Sequence, residues 1–248
     1  MEPRLWHCLV AIASTMWPPD GIIMDAGCND GRTSILLAQH FGARHDVLAL
    51  EPIRLNVRLA EQRAARALGS MSHSRTVFMQ GGLGARPGNA SYPRSLDRMR
   101  IRDIGGGTGI QTGTLPGYEY QQNETARVTY EVFTVDALLE RRQQRLSFAH
   151  WDVEGGEAAV LEGARRTISR DLPVFTLEAF PRTRPREFME LVQTTHSLGY
   201  RMLEIPESCG RPADCRNFVC VPAGLWGKLS NVSQCRGTEA KAVEGVAH

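Results

Sequence analysis

Two rhythms of apolar residues run along the chain. Short apolar runs at Ile22–Met24, Val47–Leu50, Thr76–Met79, Leu146–Val153 and Val174–Leu177 read as strands. Between them, apolar positions at helical spacing predict helices over Thr33–Phe41, Leu55–Leu68, Asp136–Arg142, Glu157–Ser169 and Pro185–Leu198. Strand followed by helix, repeated along the chain, predicts an α/β fold with a Rossmann-like, doubly wound and mostly parallel sheet. Val128–Val135 alternates as a strand of an antiparallel hairpin would. After Gly199, which caps the last helix, Tyr200–Ile205 and Asn217–Val221 read as a C-terminal antiparallel hairpin.

Three stretches lack this order. Leu5–Trp17 is apolar but too short to span a bilayer. Its nearness to the first strand favours a lead-in helix within residues 1–20 that packs on the sheet, over a signal sequence. Residues 85–127 read as a flexible insert in the domain that occupies 21–227. Its Gly105-Gly106-Gly107-Thr108-Gly109 cluster has no strand before it and no lysine after it, which argues against a phosphate loop. The tail over 228–248 is polar and rich in small residues, and is expected to be disordered.

The most informative segment joins the first strand to the first helix. Asp25-Ala26-Gly27-Cys28-Asn29-Asp30-Gly31 is a glycine turn at the place where doubly wound sheets bind nucleotides. Glu51 ends the second strand, positioned to accept hydrogen bonds from ribose hydroxyls. An adenosine-containing cofactor follows from the two together. A dinucleotide would call for G-x-G-x-x-G, which this loop lacks. Asp25 and Asp30 would repel a pyrophosphate, yet suit a zwitterionic amino-acid moiety carrying an ammonium and a sulfonium. Asp25, Gly27, Asn29, Gly31 and Glu51 are therefore the candidate cofactor residues, and S-adenosyl-L-methionine the candidate cofactor.

A length of 248 residues allows one substantial α/β domain. A net charge of +2 gives no nucleic-acid footprint. Of the 29 basic residues only Lys228 and Lys241 are lysines, so Schiff-base and P-loop lysines are excluded from the body that precedes them. The cysteines form no C-x-x-C pair, and no metal site is assigned. Cys209 and Cys215 flank a turn-prone segment and could form a local disulfide, and glycosylation sequons begin at Asn89, Asn123 and Asn231. Both features point to a secretory route, while the missing clear signal peptide points to the cytoplasm, and the compartment stays open.

Ligands of an open α/β sheet bind beyond the carboxyl ends of its strands. Asp25, Glu51, Asp152, Glu154 and Glu178 all fall at such ends. In an extended segment Asp152 and Glu154 would share a face, where they could bind a cation, act as base and orienter, or meet the cofactor. His150 would share that face and has the ordinary pKa of a general base near neutrality. Asp152, Glu154 and His150 are accordingly the catalytic candidates. A structural reading also stands for Glu154 and Glu157, as N-terminal partners of the next helix, and for His150 as a packed core residue.

The segments Ile22–Gly31, Leu50-Glu51-Pro52 with Asn56, and Trp151-Asp152-Val153-Glu154-Gly155-Gly156-Glu157 resemble the FkbM-type methyltransferases. So do Val160-Leu161-Glu162-Gly163-Ala164 and the late Asn217-Phe218-Val219. The resemblance runs over roughly residues 21–222 and implies a class I S-adenosylmethionine-dependent methyltransferase. Such enzymes commonly act on oxygen in a sugar, polyketide or other natural product. It places Asp25, Gly27 and Gly31 at the methionine end, Glu51 at the ribose, and Asp152 and Glu154 at the transfer site. His150 departs from the family, which often has lysine there. The expected function is O-methylation of a hydroxyl or carboxyl on a small-molecule or glycan acceptor, with no nucleic-acid partner and no transmembrane segment. The alternatives are an NAD-dependent oxidoreductase, and a scaffold that keeps the fold without catalysis.

Overall fold

The structure is a computed structural model that describes residues 1–94, 96, 126–208 and 214–240. The sheet it contains runs β3-β2-β1-β7-β8-β10-β9-β11. The parallel part is β1 (Gly21–Ala26), β2 (His45–Glu51), β3 (Thr76–Gln80), β7 (Leu146–Trp151) and β8 (Val174–Ala179). The antiparallel part is β9 (Tyr200–Ser208), β10 (Arg216–Pro222) and β11 (Thr238–Ala240). The doubly wound sheet and its C-terminal hairpin are thus present as the apolar runs predict.

Alternation along the strands feeds two cores. In β1, Ile22, Met24 and Ala26 face one layer, built with α5 (Val135–Arg142), α6 (Glu157–Gly163), α7 (Arg165–Asp171) and α8 (Pro185–Ser197). Ile23 faces the other, shared with α1 (Pro3–Met16), α2 (Arg32–Phe41), α3 (Arg54–Ala67) and α9 (Trp226–Ser230), while a short α4 (Ser70–Ser74) leads into β3. Helices on both faces explain why the parallel strands carry near-continuous apolar runs. The stretch Leu5–Trp17 supplies α1, whose Leu5, Leu9 and Ile12 are fully buried against the sheet. Among the described residues no helix is long and apolar enough to cross a membrane.

Three expectations change. The helix expected over Glu157–Ser169 is two, α6 and α7, broken at Ala164 (φ −111°, ψ 1°). At that break Gly163 packs so closely on Gly84 that a Cβ would lie 2.1 Å from its carbonyl oxygen. Upstream of the insert, Gly82–Leu83 forms a two-residue strand, β4. Part of the expected insert is a strand, β5 (Gly88–Pro93), which pairs with β6 (Arg127–Phe133) in a small sheet of order β4-β6-β5. Residue 95, residues 97–125 and the Gly105–Gly109 cluster lie outside the described residues. The tail is ordered through residue 240: it forms α9, a short helical turn over Ser233–Cys235, and β11 at the sheet edge. Its anchor is a disulfide between Cys235 and Cys8 of α1. Cys215 is disulfide-bonded as well, and Cys209 lies outside the described residues.

Candidate active site

The chain runs outward in two directions from β1, whose neighbours are β2 on one side and β7 on the other. Connections leaving the carboxyl ends of these strands part there and open a crevice. Asp25 lies next to the end of β1, Glu51 ends β2, Asp152 follows β7, and Glu178 lies next to the end of β8.

The β1–β2 wall is tied together by its backbone. Gly27 and Cys28 donate their amides to the Leu50 carbonyl at 2.9 and 3.1 Å. Gly27 has φ +80°, and a Cβ there would lie 1.7 Å from the Asp152 carbonyl oxygen. Gly31 has φ +79°, and its Cβ would lie 2.6 Å from that of Ala60 on α3. Both glycines therefore have packing reasons for lacking a side chain, beyond the close approach of a ligand. Asn29 adopts φ +48° and donates its amide to Glu51 Oε2 at 3.0 Å. Glu51 Oε1 accepts from the Ile53 amide at 2.9 Å and from Asn56 Nδ2 at 3.4 Å. Burial outweighs these bonds and pushes the Glu51 carboxyl up to about 7.

Asp25 is also buried, and its pKa rises to about 7 for the same reason. Ser34 Oγ donates to its Oδ2 at 2.5 Å, while Oδ1 is buried with no partner. Asp30 pairs with Arg63 and with Arg32 Nε at 3.2 Å. The expected pair of loop carboxylates is thus corrected to one, because two arginines neutralise the other.

On the other wall β7 stops at Trp151, two residues earlier than expected. Glu154 has φ +60° and Gly155 φ +101°, so the chain turns sharply and the extended spacing expected for Asp152 and Glu154 does not hold. Their carboxylates converge nonetheless. Oxygens of Asp152, Glu154 and Glu178 all lie within 4.8 Å of one another, close enough to share a divalent cation or a proton. Two buried carboxyls gathered this closely favour a state in which at least one keeps its proton. Burial raises both, and the Asp152 charge helps to push Glu178 well above the usual carboxylate range.

Glu157, the first residue of α6, holds this turn in place. Its carboxyl accepts from the Val153 amide at 3.0 Å and from the Gly155 amide at 3.0 Å, and burial raises it to about 8. Beyond Glu178 lies a small open cleft lined by Phe180, Phe188, Arg184, Glu187 and Glu190. Arg184 stacks over the Phe180 ring at 5.0 Å and reaches the Glu154 carbonyl at 3.3 Å.

His150 does not join the carboxylates. Its Nδ1 lies 2.7 Å from Thr176 Oγ1 on β8, and it pairs with Asp25 across the β1–β7 ladder. Burial pulls its pKa down to about 3, which leaves a neutral imidazole that is a weak base. Its burial and its bond to Thr176 favour the packed core residue over the general base. Sequence reasoning missed the parts played by Ser34 and Glu157. A small polar residue in the first turn of α2, and an acid following Gly155-Gly156, were the available signals.

Comparison with known proteins fits this geometry. Residues 25–202 match the model of the methyltransferase FkbM domain. The structure is similar to methyltransferase FkbM from Methylobacillus flagellatus KT, at 18% identity and TM-score 0.56 over 81% of this chain and 44% of that one. It is also similar to an O-methyltransferase from Bacillus cereus in complex with SAH, at 14% identity and TM-score 0.53 over 89% of this chain and 82% of that one. At these identities the likeness is one of fold, the class I methyltransferase sheet. The chain spans under half the length of the Methylobacillus protein. No curated protein sequence matches it.

Proposed function

This chain belongs to the FkbM methyltransferase family, and from that premise we propose that its crevice binds S-adenosylmethionine and directs methylation of an oxygen on a small acceptor. The observation that carries the proposal is the gathering of buried acids at the carboxyl ends of β1, β2, β7 and β8. Asp25, Glu51, Asp152 and Glu178 all have pKa values raised by burial. Such a ring is costly when empty and is relieved by a cation. S-adenosylmethionine would supply an electrophilic methyl carbon on a cationic sulfonium, together with an ammonium.

The fit rests on the groups left open. Asp25 Oδ1, buried without a partner, is an acceptor suited to an ammonium donor. Glu51 would face the ribose, since Oε2 accepts only the Asn29 amide and retains capacity for a hydroxyl. Gly27, Asn29 and Gly31 shape the loop between the two. On the opposite wall Asp152 takes the proton of an acceptor hydroxyl and orients its oxygen. Glu178 positions Asp152 and shares its proton, and Glu154 borders the same spot. The raised pKa of Asp152 makes it a stronger base than an exposed aspartate.

The cleft beyond Glu178 suits the body of the acceptor. Phe180 and Phe188 provide apolar walls, and Arg184, Glu187 and Glu190 a polar rim. A ring bearing several hydroxyls, as in a sugar or a natural-product-like small molecule, meets both requirements.

Thermal unfolding with S-adenosylhomocysteine, S-adenosylmethionine, NAD and NADP titrated separately tests the cofactor. A ligand at a hundredfold excess over Kd stabilises by about 2.7 kcal/mol. A shift with the two sulfur-containing ligands alone is expected, and a shift with NAD would overturn the reading. Methyl transfer to a panel of hydroxylated and carboxylated acceptors then tests the acceptor class.

A further inference from the structure

Two features stand apart from the crevice and its chemistry. The first is the Cys8–Cys235 disulfide, which joins residues 227 apart in sequence and fastens β11 and its preceding turn to α1. Both cysteines are buried, in the core that Leu5, Leu9, Ile12 and Leu229 share. Cys215 is disulfide-bonded too, whereas Cys28 and Cys220 are free and buried. The bonded cysteines thus include the pair that secures the outermost strand of the sheet. Bonds of this kind persist in oxidising compartments and are rare where thiols are kept reduced.

The second is the placement of the glycosylation sequons. Asn89-Ala90-Ser91 lies in β5, an edge strand of the small sheet. Asn231-Val232-Ser233 follows α9 directly. Both asparagines are exposed, and neither amide side chain makes a hydrogen bond within the described structure. Neither belongs to the crevice, so a bulky group on either would leave the carboxylates unchanged. The sequon at Asn123 lies outside the described residues. Sequence triplets of this type are acceptors only where the chain meets a glycosylating, oxidising lumen. The disulfides and the two exposed sequons therefore call for the same surroundings, from independent chemistry.

We propose that this chain matures in an oxidising, secretory-type compartment, where the Cys8–Cys235 disulfide closes the fold and Asn89 and Asn231 carry N-linked glycans. The disulfide forms by exchange: the two thiols lose two electrons and two protons to the disulfide of an oxidoreductase, which is reduced to a dithiol. Each glycan is attached as the asparagine Nδ2 bonds to the anomeric carbon of a diphosphate-activated oligosaccharide. The carbon–oxygen bond to the diphosphate breaks, and one amide proton is released.

The test is a non-reducing peptide map of the full chain isolated from the cells that make it, with free thiols alkylated at lysis. The Cys8 and Cys235 peptides are expected as one linked species. The Asn89 and Asn231 peptides are expected to carry hexosamine-based glycans, which peptide N-glycosidase removes while leaving aspartate. Asn89→Gln and Asn231→Gln should each remove one glycan step on a gel and leave ligand binding unchanged. Alkylated, unlinked Cys8 and Cys235 would overturn the proposal. Linked cysteines with both asparagines bare would overturn the glycan assignment, and a glycan on one alone would strike out the other.

Discussion

The two walls of the crevice hold buried acids, all with pKa values raised by burial, by different means. On the β1–β2 wall backbone amides do most of the holding: those of Gly27 and Cys28 sit on Leu50, and those of Asn29 and Ile53 on Glu51, with Ser34 and Asn56 adding one side-chain bond each. On the β7–β8 wall the carboxyls of Asp152, Glu154 and Glu178 gather on one another, and Glu157 clips the backbone of the turn that carries Glu154. A wall made of backbone bonds is preorganised and has little freedom, which suits the recognition of an invariant cofactor. A wall made of coupled carboxyls can change its protonation without changing the fold, which suits the handling of a proton. Under the proposed function, binding falls to one side and chemistry to the other.

The severest way to break it is at the point where the walls touch. Gly27→Val puts a Cβ into the Asp152 carbonyl oxygen and forces a β-branched residue to φ +80°. It should cost at least about 3 kcal/mol of stability, and binding of S-adenosylhomocysteine by calorimetry should be lost. A folded variant that still binds would show that the walls are independent. Next in size, Asp152→Ala should lower kcat by roughly 10²–10⁴ while changing cofactor affinity by about tenfold or less. If cofactor binding disappears along with turnover, Asp152 belongs to the binding side and the division fails.

Protonation sharpens the contrast in the empty protein. Asp25 and Glu51 rise to about 7 and Glu157 to about 8, against ordinary values of 3.8 for the aspartate and 4.5 for the glutamates. A carboxyl whose folded pKa is raised binds more protons folded than unfolded. Its contribution is complete below its unfolded pKa and is lost as pH rises through the folded one. The ligand-free chain should therefore be more stable at pH 5.5 than at pH 8.5, by on the order of a few kcal/mol, or about 5–10 °C in Tm. A cationic ligand reverses the sign, since it favours the ionised acids: S-adenosylmethionine should bind more tightly as pH rises from 6 to 8. S-adenosylhomocysteine, without the sulfonium charge, should show the weaker dependence. Equal pH dependence for the two would mean that the acids do not face the sulfur.

What could be read beforehand follows the same division. β1, β2, β7 and β8 stand out as apolar runs because both sheet faces are covered. Asp25 and Glu51 were legible because a strand end fixes where its last side chains go. The clustering of Asp152 with Glu154 was expected, but for the wrong reason: an extended backbone was assumed where Glu154 turns at φ +60°. Asp30 was misplaced because its ion pair with Arg63 joins a loop to a helix far along the chain. β11 and the Cys8–Cys235 bond left no local trace, since Thr238-Glu239-Ala240 has no apolar alternation and its disulfide partner lies 227 residues away.

His150 is the residue for which periodicity and burial disagree most, and it carries the smallest expected effect. It lies between the walls, beside Asp25 in the ladder and bonded to Thr176. As a general base it would leave an acid limb in the pH–rate profile, and its loss would erase that limb. With its pKa held near 3 by burial, it stays neutral over the whole working range. His150→Gln keeps a polar group able to meet Thr176 and should cost about 1 kcal/mol of stability. The shape of the profile of kcat/KM against pH should not change, and kcat should fall by less than about tenfold, as expected for a residue without a proton-transfer role. Disappearance of an ionisation in that profile would return the histidine to the chemistry. It would also mean that the wall assigned to proton handling extends beneath the crevice as far as β1.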